Sequence, residues 1–224
     1  MIGVILCGGR GTRLNKNKKN KILKPLLKIN GKPLISFIID NFKKNGIKEI
    51  ILLGGYKISK LNNFVKKLND PSIKVLNTGL NTETGGRLLY AKEILKNKEF
   101  IFTYGDTIVQ IDLKKSIKIK NKKNFVFSYY KYKIPYGVYT FNSKKINNIF
   151  EKNYSISINS GYYVLDSRIF RFITSFNNSF EKKIIPKVIK NKNIEVNSIE
   201  TTNWMPIDSY QDKIVVEKIL KENK

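Results

Sequence analysis

Two glycine-rich segments of the chain carry most of its arginines. One contains Gly8-Gly9-Arg10-Gly11-Thr12-Arg13 and the other contains Thr84-Gly85-Gly86-Arg87. The chain has five arginines among 43 basic residues, and three of the five lie in these segments. Glycine lets the backbone approach a ligand closely, free amides suit a phosphate, and a guanidinium binds phosphate oxygens in pairs. The pattern favours a phosphate-binding loop, in which Arg13 reaches the charge that develops on the phosphate. It matches neither the P-loop nor the dinucleotide pattern, so a plain tight turn remains the alternative.

Three more side chains have types that suit phosphate chemistry. Lys24, in Lys24-Pro25, comes ten residues after Leu14, close enough to fold over the same loop and bridge phosphates with its ammonium. Asp106 follows the apolar stretch 100–104, and Asp208 follows Trp204-Met205-Pro206-Ile207. Carboxylate oxygens beside substrate phosphates are typical ligands of Mg²⁺. The alternatives are a surface lysine and two aspartates that end turns or cap helices.

A parallel sheet is the element that would position these groups. Continuous apolar runs predict buried strands over 2–6, 49–53, 73–76 and 100–104, and helical spacing predicts helices over 33–45, 59–68 and 86–96. This alternation predicts a doubly wound, mostly parallel α/β fold with right-handed crossovers. Ligands of such sheets bind beyond the carboxyl ends of the strands, so the loops after Leu6, Leu53, Leu76 and Tyr104 are expected to converge.

The second half of the chain, beyond Asp112, has a mixed α+β character. Strands are predicted over 125–130, 137–141, 160–165 and 194–199, and helices over 180–190 and 210–221. Two clusters rich in lysine and asparagine, 15–21 and 114–124, are interpreted as surface loops or helix edges. Residues 1–224 are therefore predicted to form a single domain with halves 1–112 and 113–224.

Composition excludes several classes of chemistry. The 224 residues include no histidine and one cysteine, Cys7, so a histidine base, a cysteine zinc site and a disulfide within the chain are excluded, and Cys7 is expected to be chemically idle. No apolar run approaches the ~18 residues of a membrane span, and a cytoplasmic location is expected. The formal net charge of +26 is interpreted as a solvated lysine surface rather than a nucleic-acid face, since no nucleic-acid-binding motif is present.

Several motifs follow one another along the chain: Gly8-Gly9-Arg10-Gly11-Thr12-Arg13-Leu14 with Lys24-Pro25 and Asn30-Gly31-Lys32-Pro33, Thr78-Gly79, Thr84-Gly85-Gly86-Arg87-Leu88, Phe102-Thr103-Tyr104-Gly105-Asp106, Ile158-Asn159-Ser160-Gly161-Tyr162-Tyr163-Val164-Leu165, and Trp204-Met205-Pro206-Ile207-Asp208 with Asp212-Lys213. In this order they resemble the sugar-1-phosphate nucleotidylyltransferases. Within that superfamily they are most similar to the glucose-1-phosphate cytidylyltransferases. The resemblance covers essentially the whole chain.

The resemblance implies a role for each matching residue in a Rossmann-like nucleotidyltransferase domain. The implied catalytic residues are Arg13, Lys24 and Asp106, and Mg²⁺ would be held by Asp106 and Asp208. The implied nucleotide-binding residues, in the half 1–112, are Leu6, Gly8, Gly9, Gly11, Thr12, Arg13, Thr78, Gly85, Gly86 and Arg87. The implied acceptor-binding residues are Tyr104, Gly137, Glu151, Lys152 and Asn159, all but the first in the half 113–224.

The reaction implied is transfer of CMP from CTP to a sugar 1-phosphate, with glucose 1-phosphate as the best candidate. GTP, UTP or dTTP as nucleotide, and a heptose phosphate, phosphocholine or another phosphate as acceptor, stay open, because the segment 59–77 is short and Ile134-Pro135-Tyr136 and Asn153 depart from the cytidylyltransferase pattern. A non-catalytic nucleotide-binding relative is a further alternative. The expected partners are these small molecules, with no nucleic acid and no membrane insertion, and a homo-oligomer stays open.

Overall fold

The computed structural model describes residues 1–16 and 21–222, and the part of the first lysine-rich cluster at 17–20 lies outside them. The strands of the described residues are β1 (Ile2–Leu6), β2 (Lys28–Ile29), β3 (Lys32–Pro33), β4 (Glu49–Gly54), β5 (Ile73–Asn77), β6 (Glu99–Tyr104), β7 (Thr107–Gln110), β8 (Asn124–Lys133), β9 (Gly137–Asn142), β10 (Lys145–Glu151), β11 (Ser155–Asp166), β12 (Glu195–Glu200) and β13 (Asn203–Pro206). The α-helices are α1 (Leu34–Lys44), α2 (Ile58–Leu68), α3 (Leu113–Ile119), α4 (Ile185–Ile189) and α5 (Tyr210–Glu222).

Seven of these strands form one sheet in the order β12-β8-β11-β6-β1-β4-β5. All the pairings between neighbours are parallel except those of β11, which runs antiparallel to both β6 and β8. The predicted mostly parallel α/β fold is therefore confirmed. Strands from both halves of the chain belong to this one sheet, and β1, buried at all five residues, lies between β6 and β4.

Apolar side chains cover both faces of the sheet. On one face α1 buries Ile35, Ile38, Ile39 and Phe42, which recur at helical spacing. A second cluster is built around aromatic rings from both halves of the chain, including Phe100, Phe102, Phe125, Tyr163 and Phe180. None of the described helices is long and apolar enough to cross a membrane. The helices pack on the sheet, and the loops beyond its strands remain accessible.

A short ribbon outside the main sheet was not predicted from the sequence. β7 pairs antiparallel with β13, so that Thr107 lies opposite Pro206 and Gln110 opposite Asn203. The ribbon and α5 pack over a third apolar cluster that includes Met205, Ile207 and Val216. Because Asp106 precedes β7 and Asp208 follows β13, this pairing brings the two aspartates to the same end of the ribbon.

Other segments also differ from the sequence-based prediction. The helix predicted over 86–96 is a 3₁₀ helix, Gly86–Ala91. The helix predicted over 180–190 is a π-helical turn, Phe180–Ile184, followed by α4, where Pro186 supplies no amide to the regular helical ladder. β10 was missed because its residues are mostly polar and exposed. The cluster 114–124, expected at the surface, contains most of α3 and three buried residues, Ser116, Lys120 and Asn124.

Candidate active site

A cavity of about 590 Å³ lies at the carboxyl ends of β1 and β6. It is lined by the loop that follows β1, by Lys24, by the segment Leu80–Thr84 after β5, and by Tyr104 and Asp106 after β6, with Asp208 closing one side. The predicted convergence is borne out for the loops after β1, β5 and β6. The loop after β4, also predicted to converge, does not line the cavity and instead contacts the β1 loop, where Tyr56 N donates to Gly8 O at 3.2 Å. Eleven predicted site residues line the cavity, namely Leu6, Gly8, Gly9, Gly11, Thr12, Arg13, Lys24, Arg87, Tyr104, Asp106 and Asp208.

The glycine-rich loop after β1 is shaped by backbone and side-chain hydrogen bonds. Gly11 has φ of +57°, a left-handed conformation that glycine adopts readily. The Asn15 amide nitrogen donates to the carbonyls of Arg10, at 3.1 Å, and Ile22, at 2.9 Å, while its oxygen accepts from Ile22 N at 2.7 Å. Asn15 is buried and was not predicted from the sequence. It ties the loop to the chain that leads into Lys24.

Lys24 lies at the base of the cavity between the two aspartates. Its ammonium donates to Asp106 Oδ2 at 2.9 Å and to Asp208 Oδ1 at 2.7 Å. The Lys24 side chain is 8% exposed, whereas those of Asp106 and Asp208 are 41% and 34% exposed. Arg13, 79% exposed, forms an ion pair with the other oxygen of Asp208. A buried cation and an exposed cation thus share Asp208, the buried one also bonds Asp106, and both carboxylates line the cavity.

The position of Asp208 is fixed by the start of α5. Asp212 Oδ2 accepts from the backbone amides of Asp208, at 2.9 Å, and Ser209, at 2.8 Å, and Ser209 Oγ accepts from Asp212 N at 3.1 Å. This is a reciprocal cap of the helix N-terminus. Burial alone would raise the pKa of Asp212, but the hydrogen bonds from Asp208 N and Ser209 lower it below its ordinary value. Asp212 is therefore an ionised cap that orients Asp208.

The donor set at this point fits a divalent metal ion of the magnesium type. Asp106 and Asp208 present hard carboxylate oxygens that already converge on one cation, Lys24 Nζ. In the described residues no group of three or more His, Cys, Asp or Glu side chains converges, so phosphate oxygens and water would complete the coordination. The two aspartates therefore suit a metal that arrives with phosphate ligands.

Arg87 is buried and contacts the protein rather than an open phosphate position. Its guanidinium donates to Gly79 O at 3.0 Å, to Gly8 O at 3.2 Å and to Thr78 Oγ1. Burial lowers the pKa of Arg87 from its ordinary value. The guanidinium occupies the space that a side chain at Gly8 would need, so a larger residue there would have to displace it. Arg87 lines the cavity, but its hydrogen bonds brace the β1 and β5 loops against each other.

Gly85 and Gly86 lie beside the cavity rather than in its lining. Their backbone amides donate to Asn178 O at 2.9 and 3.0 Å. The role predicted for them in nucleotide binding, like that of Thr78, which bonds Arg87, stays a prediction. Cys7 is buried, and burial together with the nearby Asp106 raises the pKa of its thiol far above the ordinary value. This agrees with the expectation of an idle thiol.

The five predicted acceptor residues fall into two groups. Tyr104 lines the cavity, and Asn159 connects to it, because Asn159 Nδ2 donates to Tyr163 OH at 2.6 Å and Tyr163 OH lies 3.4 Å from Tyr104 OH. Gly137, Glu151 and Lys152 belong to the exposed β9–β10 hairpin, where Gly137 and Glu151 lie opposite each other and Lys152 follows β10. These three do not line the cavity, and their role stays a prediction.

Several residues of the cavity wall were not among the predicted site residues. Arg10 Nη2 donates to Asn81 Oδ1 at 3.2 Å and so links the β1 loop to the segment after β5. Thr82 and Thr84 line the cavity on the same side, and the Thr84 hydroxyl donates to Glu181 Oε2 at 2.8 Å. The signal that was available is position, because Leu80–Thr84 follows β5 at the binding edge of the sheet.

Known proteins share both the sequence and the architecture of this chain. The model of the family described as "Nucleotidyl transferase" matches residues 2–221. A probable glucose-1-phosphate cytidylyltransferase of Bacillus subtilis is 31% identical, with 98% of this chain and 96% of that protein covered. A D-glycero-alpha-D-manno-heptose 1-phosphate guanylyltransferase of Campylobacter jejuni is 38% identical over 124 residues, 55% of each chain.

The fold of this chain also matches that of a solved structure over nearly the whole length of both chains. HddC of Yersinia pseudotuberculosis, in complex with GMP-PN, is 26% identical, covers 98% of this chain and 99% of its own, and has a TM-score of 0.77. The resemblance inferred from the motifs is confirmed by these matches, and so is the assignment as an enzyme of the nucleotidyltransferase type. With the family model spanning residues 2–221, the chain belongs to the nucleotidyl transferase family.

Proposed function

We propose that the protein transfers CMP from CTP to a sugar 1-phosphate, with glucose 1-phosphate as the preferred acceptor, to give a CDP-sugar and pyrophosphate. The observation that carries this proposal is the ammonium of Lys24, which bonds both Asp106 and Asp208 at the base of the glycine-lined cavity. Two cations and two carboxylates around one opening suit the charged centre of a phosphoryl transfer.

The chemistry proposed is an in-line displacement at the α-phosphorus of the nucleotide. An oxygen of the acceptor phosphate forms the new bond to phosphorus, and the bond to the leaving pyrophosphate breaks on the opposite side. The acceptor is already an anion near neutral pH, so the step needs no protein nucleophile and no histidine base. Catalysis then rests on positioning the two phosphates and on neutralising their charge.

In this proposal different residues of the cavity bind the triphosphate, neutralise its charge and hold the metal ion. The amides of Gly8, Gly9, Gly11 and Thr12 face the triphosphate, and Arg13, the exposed cation, neutralises the leaving pyrophosphate. Lys24 holds positive charge at the reacting phosphate. Asp106 and Asp208 would hold Mg²⁺, which when bound supplies a Lewis acid that neutralises phosphate oxygens and orients them.

The acceptor side of the proposal involves both halves of the chain. Tyr104 and Asn159 would form the wall near the acceptor, and Gly137, Glu151 and Lys152 would reach the sugar phosphate from the β9–β10 hairpin. The nucleotide would then be bound by the half 1–112 and the acceptor mainly by 113–224. We expect this reaction to take place in the cytoplasm, and assembly into a homo-oligomer stays open.

Guanylyl transfer to a heptose phosphate is the second candidate. It is favoured by the similarity of residues in this chain to the Campylobacter jejuni guanylyltransferase and by the match to the HddC complex with GMP-PN. The two candidates share the phosphate chemistry and differ in the base and the acceptor. UTP, dTTP and acceptors such as phosphocholine belong to the same set of alternatives.

A pyrophosphate-release assay distinguishes the candidates. CTP, GTP, UTP, dTTP and ATP are each supplied with Mg²⁺ against glucose 1-phosphate, a heptose 1-phosphate and phosphocholine, and reactions without acceptor serve as the blank. Release with CTP and glucose 1-phosphate is the expected result. Release with another pair keeps the mechanism and replaces the substrates, and no release from any pair contradicts the proposal.

A further inference from the structure

A glutamate outside the predicted site contacts two walls of the cavity. Glu181 lies in the π-helical turn Phe180–Ile184. Its Oε1 accepts from the hydroxyl of Tyr104, and its Oε2 accepts from Thr84 Oγ1 at 2.8 Å. Ser179 Oγ also donates to Oε2 at 2.8 Å and fixes the carboxylate on its own turn. One side chain thus joins the end of β6 to the segment after β5.

Both partners of Glu181 line the cavity and are held by further contacts with the protein. The Thr84 hydroxyl donates to Glu181 and accepts from Phe180 N at 2.8 Å, so its hydrogen-bonding capacity is directed into the protein. The ring of Tyr104 packs against Gly161, where a side chain would clash with it. Glu181 therefore determines where both side chains stand on the cavity wall.

The hydrogen bonds around Tyr104 run in one direction. Asn159 donates to Tyr163 OH at 2.6 Å, and Tyr163 OH lies 3.4 Å from Tyr104 OH. Because the Tyr104 proton is donated to Glu181, Tyr163 is the donor to Tyr104. Burial, with Tyr163 and Glu181 nearby, raises the pKa of Tyr104 well above its ordinary value. Tyr104 is a neutral phenol, and the chain of donors ends at the Glu181 carboxylate.

We propose that Glu181 is a positioning residue for both substrates: one carboxylate oxygen fixes Tyr104 on the acceptor side of the cavity, and the other fixes Thr84 on the nucleotide side. The assignment of the two sides rests on the proposed function. Glu181 acts through its two partners and touches no reacting atom. Its removal loosens the two walls and leaves Lys24, Asp106 and Asp208 in place.

Three variants separate the two hydrogen bonds of Glu181, the one from Tyr104 and the one from Thr84. Tyr104→Phe removes the hydroxyl on the acceptor side, Thr84→Val removes the hydroxyl on the nucleotide side, and Glu181→Gln weakens both. The matched control is a tyrosine–glutamate pair outside the cavity, in which Tyr129 OH donates to Glu200 Oε2 at 3.2 Å. Tyr129→Phe and Glu200→Gln test the loss of the same kind of bond away from the cavity, and Glu200→Gln also weakens an ion pair with Lys131.

The expected result is a split between the two Michaelis constants, because a hydrogen bond to a charged group is worth roughly a factor of ten or more. Tyr104→Phe raises KM for the acceptor about tenfold and leaves KM for the nucleotide within about twofold. Thr84→Val raises KM for the nucleotide by a smaller factor and leaves KM for the acceptor unchanged, and Glu181→Gln raises both constants. In all three kcat stays within about threefold, and the control variants change neither KM.

Three results would overturn the proposal, and all of them differ from a failure of the proposed function. An active wild type whose KM values are unchanged in Glu181→Gln refutes it, and so does an equal loss of thermal stability in all variants with no split in KM. The contact can also be tested without turnover, by measuring the free energy of unfolding of Glu181→Gln, Tyr104→Phe and the double variant. If the effects of the two single changes add up in the double variant, the two side chains are not coupled, and the proposal is refuted. An inactive wild type refutes the proposed function alone.

Discussion

Two lysines are each held between two carboxylates, at opposite ends of the same strand. Lys24 bonds Asp106, just beyond the end of β6, together with Asp208. Lys120 bonds Glu99, the first residue of β6, at 3.3 Å and Asp166 at 2.8 Å. Both lysines are buried, and both bring together parts of the chain that are far apart in sequence. The two clusters differ in what else the carboxylates contact.

The carboxylates around Lys24 open onto the large cavity, and their other cation, Arg13, is exposed. Around Lys120, by contrast, the carboxylate of Asp166 is mostly buried and both of its oxygens accept hydrogen bonds from Arg168, at 2.9 and 2.7 Å. Lys120 Nζ also donates to Asn121 O at 2.6 Å. Glu99 borders a smaller cavity of about 380 Å³ that neither Lys120 nor Asp166 lines. We therefore expect the Lys24 cluster, whose carboxylates face the large cavity, to serve ligand binding, and the Lys120 cluster, whose Asp166 is paired with Arg168, to serve stability.

The largest expected effect is loss of turnover in Asp106→Asn and Asp208→Asn. Each change removes a charged ligand of the proposed metal site, so kcat is expected to fall at least about 10³-fold. Because both side chains are partly exposed, the midpoint of thermal unfolding stays close to that of the wild type. Pyrophosphate release and a thermal melt check the two statements. Near-normal turnover in either variant would show the metal assignment to be wrong, and Asp40→Asn, at an exposed ion pair with Lys32, is the control.

Lys24→Met is expected to lower kcat by about 10²-fold, because it removes one charge from the reacting centre and leaves the metal ligands in place. The two aspartates face the cavity and can be solvated, so the cost in stability is small. The comparison variant is Lys120→Met, in which stability falls and kcat is retained. If Lys24→Met instead unfolds the protein and leaves the turnover of the folded fraction intact, the two lysines have the same structural role.

Asp166→Asn tests the closed cluster directly. It leaves Lys120 buried with a weaker partner and removes the paired bonds of Arg168, so the free energy of unfolding is expected to fall by about 2 kcal/mol. Denaturant unfolding measures this change, and pyrophosphate release is expected to stay at the wild-type rate. A marked loss of kcat with unchanged stability would mean that this cluster communicates with the active site.

The smallest expected effect is an acid sensitivity that Asp166 contributes. Burial alone would raise the pKa of Asp166, but hydrogen bonds from Arg168 and Lys120 bring it below its ordinary value of 3.8. A carboxyl with a lowered folded-state pKa adds stability above pH 3.8, and this contribution is lost as the pH falls through the folded-state pKa. The unfolding free energy of Asp166→Asn is thus expected to fall less than that of the wild type between about pH 5 and pH 2. Parallel curves would contradict the lowered pKa.

The parts of the site that follow parallel strands could be predicted from the sequence. The run Ile2–Leu6 is apolar at every position but Gly3, so a buried strand followed by a ligand loop was the direct interpretation. Asp106 was predicted for the same reason, at the end of β6. The partner of Arg87 was not predictable, because its residue type suits phosphate and carbonyl oxygens equally, and only the fold shows that Gly8 O and Gly79 O are within reach.

Pairings between distant segments account for the rest of what was missed. β7 is four residues long, and its partner β13 lies about ninety residues further along the chain, so no local pattern marks the ribbon. Nothing in the local sequence distinguishes Lys120 from Lys118, Lys122 and Lys123. Its burial depends on Asp166 and Glu99, which the fold brings within ion-pair distance of its ammonium. Glu181 was missed likewise, since Tyr104 and Thr84 are 77 and 97 residues away.

The β7–β13 ribbon also sets the order in which the site can be completed during synthesis. Lys24 is 82 residues from Asp106 but 184 residues from Asp208, so the first ion pair can close while much of the chain is still absent. The second has to wait for residues 203–208 to leave the ribosome and pair with β7. A nascent chain that stops before β13 retains the glycine-rich loop and one aspartate. The proposed metal site therefore cannot be complete until residues 203–208 have been synthesised and have paired with β7.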